Sequence, residues 1–160
     1  MRRLQDSSML IESTTACVEG VLDELRPPGL EDWGLDSVLR WYAEVFSRRT
    51  EIAVKVNAQG RLRRLGPTRE TALFRIAQEA LNNVAKHAHV HYVEIVLDWR
   101  EDSVFLEIAD DGVGFDAATR DLSSGLGMIT MRERAQAIGG HKYTESQPGA
   151  GTRVRVTVPY

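Results

Sequence analysis

Apolar residues recur along this chain at two periods, and each change of period marks an element. Leu73, Ile76, Ala77, Ala80, Leu81 and Val84 fall three and four apart, which predicts an amphipathic helix over 66–88. Pro67 stands near its start, where a missing amide proton costs least. Leu35, Val38, Leu39, Tyr42, Val45 and Phe46 predict a second helix face over 35–48. A third helix is expected over 126–138, stopped by Gly139-Gly140. Strands are predicted over 51–56, 91–99, 103–110, 141–146 and 152–158, and "QGRL" suggests a turn into a further strand near 61–65. Short turns, "REDS" and "QPGAG", join two pairs of these strands as hairpins, and hairpins are antiparallel.

The N-terminal pattern is different. Leu4, Ile11, Val18 and Leu25 fall seven apart, with Leu22 beside them and Ser8 and Thr15 interrupting the second row. That predicts a helix over 1–25, either one member of a bundle or coiled coil, or a lone amphipathic helix. "RPPGLEDWG", 26–34, ends it in a hinge. The expected organisation is 1–26 as that helix, 27–49 as a linker and bridging helix, and 50–160 as the main domain. Helices and strands in runs, with hairpins, give an α+β class: a two-layer sandwich with helices on one face of a mixed sheet, plus the N-terminal helix.

Composition changes this picture little. The 160 residues are 42% hydrophobic and 27% charged, as in a globular domain. A net charge of −3 argues against nucleic acid as a partner. No apolar run approaches the ~20 residues of a membrane span, and no secretory signal is visible. The one cysteine, Cys17, cannot form an internal disulfide. It fits a reducing, cytoplasmic setting and reads as a small buried helix residue.

The chemistry gathers in glycines, acids and one helix face. Asp110-x-Gly112-x-Gly114, Gly125-x-Gly127 and Gly149-x-Gly151-Thr152 are separate clusters. Each alone is an ordinary turn signal. Glycine permits positive φ or close approach of a ligand. An ionised Asp only accepts hydrogen bonds, so it suits a ligand edge that offers N–H groups. Gly125-x-Gly127 opens a helix, and helix N-termini attract phosphate. No G-x-x-x-x-G-K-[ST] is present, so a P-loop is excluded. On the 66–88 helix, Glu79 and Asn83 are four apart and share a face, with Lys86 a turn further on. In isolation this is a solvated polar face. With a nucleotide, oxygen ligands and an ammonium suit Mg²⁺ and phosphate.

"FRIAQEALNNVAKHA", "IADDGVGFD", "GLGMITMRERAQAIGG" and "GAGTRVRVTVP" occur in that order. They resemble the N, G1 and G2 boxes and final strand of the ATP-binding domain of sensor histidine kinases. That domain belongs to the superfamily shared with gyrase, Hsp90-type chaperones and MutL. The nearest likeness is to the nitrate and degradative-enzyme sensors, and it covers residues 50–160 well. The resemblance implies the Bergerat ATP-binding fold, with ATP and Mg²⁺ as ligands. It implies that Asp110 contacts the adenine amino group while Gly112 and Gly114 clear space for the nucleotide. It implies that Asn83 holds Mg²⁺ and that Lys86 and His87 lie near phosphates. Glu79 would polarise a water or help proton transfer. Gly125 and Gly127 would end a lid over 115–125, and Thr152 would sit near adenine. The implied partners are a phosphoacceptor and dimerisation helix of the parent kinase, a helix-turn-helix response regulator and a second copy in a homodimer. The parent could be membrane-anchored.

There are departures from the pattern. The F box is absent, the lid is short, and no helix carries a histidine followed by an acid. Residues 1–25 resemble only the second helix of a dimerisation hairpin, so the acceptor is expected on a helix that this chain does not contain. Two other readings stand beside the kinase: an anti-sigma-factor-type serine kinase and binding protein, and a non-catalytic ATP-sensing module. His87, His89 and His91 alternate, which on one strand would suggest a metal site, but passage from helix to strand spoils that geometry.

Overall fold

A computed structural model describes residues 29–116 and 126–160. The helix expected over 1–25, Cys17, Gly125 and most of the expected lid lie outside the described residues. In chain order the elements are α1 (Leu30–Thr50), β1 (Ala53–Gly60), α2 (Pro67–His87), β2 (Tyr92–Trp99), β3 (Ser103–Asp110), α3 (Leu126–Ala137), β4 (His141–Ser146) and β5 (Thr152–Pro159). The strands form one sheet in the order β1-β2-β3-β5-β4. β1 and β2 run parallel, joined through α2, and the remaining pairs are antiparallel. The class is therefore α+β with a mixed sheet, as the sequence implied.

Strand alternation decides which face is covered. In β2, Val93, Ile95, Leu97 and Trp99 are buried, while Tyr92, Glu94, Val96 and Asp98 turn outward. Val104, Leu106 and Ile108 of β3 and Val154, Val156 and Val158 of β5 continue the same buried face. The helices cover it. The whole predicted stripe of α2 is buried, and Phe74 joins it. Leu30, Leu35, Val38, Leu39 and Phe46 of α1 belong to the same core, so the bridging helix packs as part of the domain. A Schellman motif ends α3: Gly140 N–H bonds to Ala135 O, Gly139 N–H bonds to Gln136 O, and Gly139 has φ 75°.

Three expectations need correction. α1 starts at Leu30 rather than near 35, because its first turn forms before a break at Gly34. Val45 lies off the buried stripe, at 36% exposure. No strand forms over 61–65. Gly60 turns the chain with φ 82°, and the arginines after it bond elsewhere: Arg63 to Glu101 O, Arg64 to Glu70. The free edge of β1 is instead capped by α1. Arg40 Nη1 donates to Val56 O at 2.9 Å, and Val54 N–H donates to Ser47 Oγ at 3.1 Å. These bonds blunt an edge that would otherwise invite further pairing.

Candidate nucleotide-binding site

The last row of the covered sheet face is polar. Register places Asp110 opposite Thr152, and Thr152 opposite Ser146. One step back, Ile108 lies opposite Val154 in the dry core. Asp110 is partly buried. Its Oδ1 accepts the N–H of Gly112 at 2.9 Å, which folds the chain after β3 back over the carboxylate. Burial pushes the Asp110 carboxyl above its ordinary value. The N–H groups of Gly112 and Thr152 counter that, and the neighbouring charge of Asp111 adds to it. The result is a partly desolvated acceptor, pinned on one oxygen.

The loop behind it is fixed by backbone contacts. Val113 N–H donates to Ala88 O at 3.0 Å, and Gly149 N–H donates to Val113 O at 2.7 Å. The loop is thus tied to the end of α2 and to the β4–β5 hairpin. A Cβ on Gly112 would stand 2.3 Å from Ala88 O, and one on Gly114 would stand 2.1 Å from Gln147 O. These glycines were expected to clear space for a nucleotide. A Cβ at either position would meet the protein's own backbone, so their absent side chains also allow the loop to seat.

Ser146 was not anticipated. Its Oγ accepts the N–H of Phe115 at 2.9 Å, donates to Gly151 O at 2.9 Å, and lies 3.0 Å from Thr152 Oγ1. It joins the loop after β3 to the start of β5. The signal was present in the hairpin register, because a turn over 147–151 places Ser146 opposite Thr152.

The polar face of α2 completes the site. Glu79 and Asn83 are partly buried on it, and Lys86 and His87 are exposed in its last turn. Glu79 reaches the first turn of α3, where a Cβ on Gly127 would come 1.9 Å from Glu79 Oε1. Nine residues along the same helix, about 14 Å, Ala88 receives the Asp110 loop. α2 therefore connects the two glycine-bearing segments. Asn83 lies between them, partly buried on the same face. The histidines do not converge: His87 ends α2, His89 has φ 55°, His91 precedes β2 and His141 opens β4.

The donor set fits a nucleotide. A desolvated acceptor beside the Thr152 and Ser146 hydroxyls suits the amino edge of a base. No three His, Cys, Asp or Glu side chains among the described residues are grouped to hold a metal. Asn83, with Glu79 beside it on the same helix face, would offer a cation oxygen-bearing side chains. That suits a cation held jointly with substrate phosphates rather than in a protein cage.

Fold and register bring Asp110, Thr152 and Ser146 together at the end of β3, beside the polar face of α2. The chain belongs to the histidine kinase-, DNA gyrase B- and HSP90-like ATPase family, whose profile matches residues 68–160. Among individual proteins, it is 34% identical over 166 residues to the oxygen sensor histidine kinase NreB of Staphylococcus carnosus, covering 97% of this chain and 48% of that protein. It is 30% identical over 159 residues to the signal transduction histidine-protein kinase/phosphatase DegS of Brevibacillus brevis, covering 99% of this chain and 41% of that protein. The chain thus spans about half the length of these relatives or less. In fold it resembles the histidine kinase domain of the blue-light-activated kinase of Erythrobacter litoralis, with a TM-score of 0.63, 22% identity, and 78% and 60% of the two chains covered. It also resembles the Acinetobacter baumannii histidine kinase AdeS, with a TM-score of 0.68, 12% identity, and 95% and 82% covered. Among the described residues, no helix is long and apolar enough to cross a membrane.

Proposed function

We propose that this chain is the ATP-binding catalytic part of a two-component sensor histidine kinase. Its reaction passes the γ-phosphoryl group of ATP to a histidine on a separate dimerisation helix, for onward transfer to a response regulator of the helix-turn-helix type. The observation that carries the reading is the Asp110 carboxylate, desolvated at the end of β3 and pinned by Gly112 where an adenine amino group would need an acceptor. In this reading Thr152 lies beside the base, Asn83 is the Mg²⁺ ligand, and Lys86 and His87 face the phosphates. Gly127 and Gly125 sit at the lid end, and Glu79 orients a proton or a water. Bound Mg²⁺ would neutralise phosphate charge; the chain's own part is to bind and orient, which is most of what phosphoryl transfer asks of a protein. Consuming ATP places the domain in the cytoplasm, and the acceptor helix would supply a dimer.

The four histidines all lie within the ATP-binding domain. A donor and acceptor must meet at about 3–3.5 Å, and a histidine fixed on the domain that holds ATP does not reach its own γ-phosphate. The test is incubation with γ-labelled ATP. The chain alone is expected to stay unlabelled, and adding the acceptor helix of the parent kinase is expected to give an acid-labile, base-stable label on that helix. Such a label on this chain by itself would overturn the assignment of the acceptor. Failure to bind ATP would overturn the whole reading. Asn83→Ala is expected to weaken nucleotide binding roughly fivefold with Mg²⁺, about 1 kcal/mol, and to leave metal-free binding unchanged, by calorimetry.

A further inference from the structure

α1 is not one continuous helix. Gly34 has φ 78° and ψ 171°, which breaks it into a first turn, Leu30–Trp33, and a long segment from Leu35 to Thr50. The first turn is short: Trp33 N–H donates to Gly29 O at 2.8 Å, and the Trp33 ring lies against Gly29, yet is 60% exposed. A single turn of this kind does not persist on its own, because helix nucleation is unfavourable. Leu30 anchors it in the core, and a second element must hold its backbone as well.

Arg64, in the connection between β1 and α2, does so. Its Nη2 donates to Leu30 O at 3.0 Å and to Glu31 O at 2.8 Å, both carbonyls of that first turn. The same guanidinium grips Glu70, with Nε to Oε1 at 2.9 Å and Nη2 to Oε2 at 3.2 Å. Glu70 lies in the first turn of α2 and is only 1% exposed. The N–H of Leu65 donates to Glu70 Oε1 at 3.1 Å. A carboxylate this buried requires a charged partner. A guanidinium meets it side-on and still has N–H groups for the carbonyls; an ammonium cannot span both. The Arg64 side chain also packs at the break, 3.6 Å from where a Cβ on Gly34 would stand.

We propose that Arg64 and Glu70 form a latch that fixes the direction in which the polypeptide enters this domain at Gly29. The latch clamps the first turn of α1 to the start of α2, across the glycine break. It holds the first turn of α1, and with it the chain at Gly29, against the start of α2. The latch is a property of the fold; its consequence for phosphoryl transfer rests on the reading above.

The test places spin labels at positions 32 and 153 of the full chain, after Cys17→Ser, and measures the distance distribution by pulsed electron resonance. Asp32 lies in the clamped turn, and Arg153 is exposed on β5. A narrow distribution is expected for the parent. Arg64→Lys keeps a positive charge opposite Glu70 but loses the fork, and is expected to broaden the distribution at least twofold. Arg64→Ala with Glu70→Gln removes both charges, so no buried ion is stranded, and is expected to do the same. ADP affinity is expected to stay within twofold in both variants. An unchanged distribution in either folded variant overturns the latch. Loss of ADP binding in the parent would count against the proposed function and leave this test standing.

Discussion

Two rows of the same sheet face, one residue pair apart, behave in opposite ways. Ile108 and Val154 face each other in a dry layer under the helices, whereas Asp110 and Thr152, the next inward-facing pair, carry a carboxylate and a hydroxyl. Strand, face and hydrogen-bonding partner are shared. What changes is the cover: α2 runs out at His87, and beyond it the chain after β3 folds over, held by the N–H of Gly112 and the bond from Val113 to Ala88 O. A core row becomes a polar row where its helix stops. The carboxylate there is partly buried, and burial raises its pKa.

The largest way to break that contrast is to damage the dry row. Ile108→Ala is expected to cost about 2–5 kcal/mol in urea unfolding, from lost transfer energy and the cavity left behind. Nucleotide affinity of the folded fraction is expected to hold, because Ile108 touches only the core. Next is the seam between the rows. Gly112→Ala drives a Cβ toward the Ala88 carbonyl, backbone against backbone, at about 1–3 kcal/mol of stability. Unlike Ile108→Ala it should also weaken nucleotide binding, since shifting the loop away from Ala88 moves the residue-112 N–H off the Asp110 carboxylate.

Asp110→Asn separates the two roles of the polar row. The amide oxygen still accepts from Gly112, but the other position becomes a donor where an acceptor is needed. Calorimetry should show ADP affinity lower by at least tenfold, about 1.4 kcal/mol. Fold stability should not fall with it. Folded Asp110 holds its proton more tightly than the unfolded chain does, so its contribution to stability is full below the ordinary carboxylate range. That contribution is lost as pH rises through the raised folded value. Asn escapes that loss, so the variant should gain stability relative to the parent between acid and neutral pH. A variant that lost stability as pH rose through that window, relative to the parent, would refute the desolvation of Asp110. The smallest effect belongs to Ser146→Ala, which removes the hydroxyl tying Phe115 N–H to Gly151 O. About 0.5–1.5 kcal/mol of stability is expected to go, by thermal or urea unfolding.

Period and punctuation determined most of the elements by themselves. A stripe at three and four produced α2, alternation produced β2, β3 and β5, and Gly139-Gly140 stopped α3. In each case the signal is local: neighbours along the chain bury or expose together, and backbone sign is set by one residue. The candidate site was legible for a related reason. Asp110, Gly112 and Gly114 lie on one short loop, and Glu79 and Asn83 on one helix face.

What tertiary structure decided were matters of partner and of direction. Sequence could place Gly112 in a turn, but not show that Ala88, twenty-four positions earlier, is the backbone it makes room for. Arg61 to Leu65 has the residues to follow a turn as a strand, yet Arg64 is drawn instead to a buried Glu70 and to two carbonyls of α1. Desolvating a carboxylate costs more than a few strand hydrogen bonds return, so the guanidinium goes where the buried charge is. The polarity of Asp110 was written in the chain; its raised pKa was not, because burial depends on every element that packs around it.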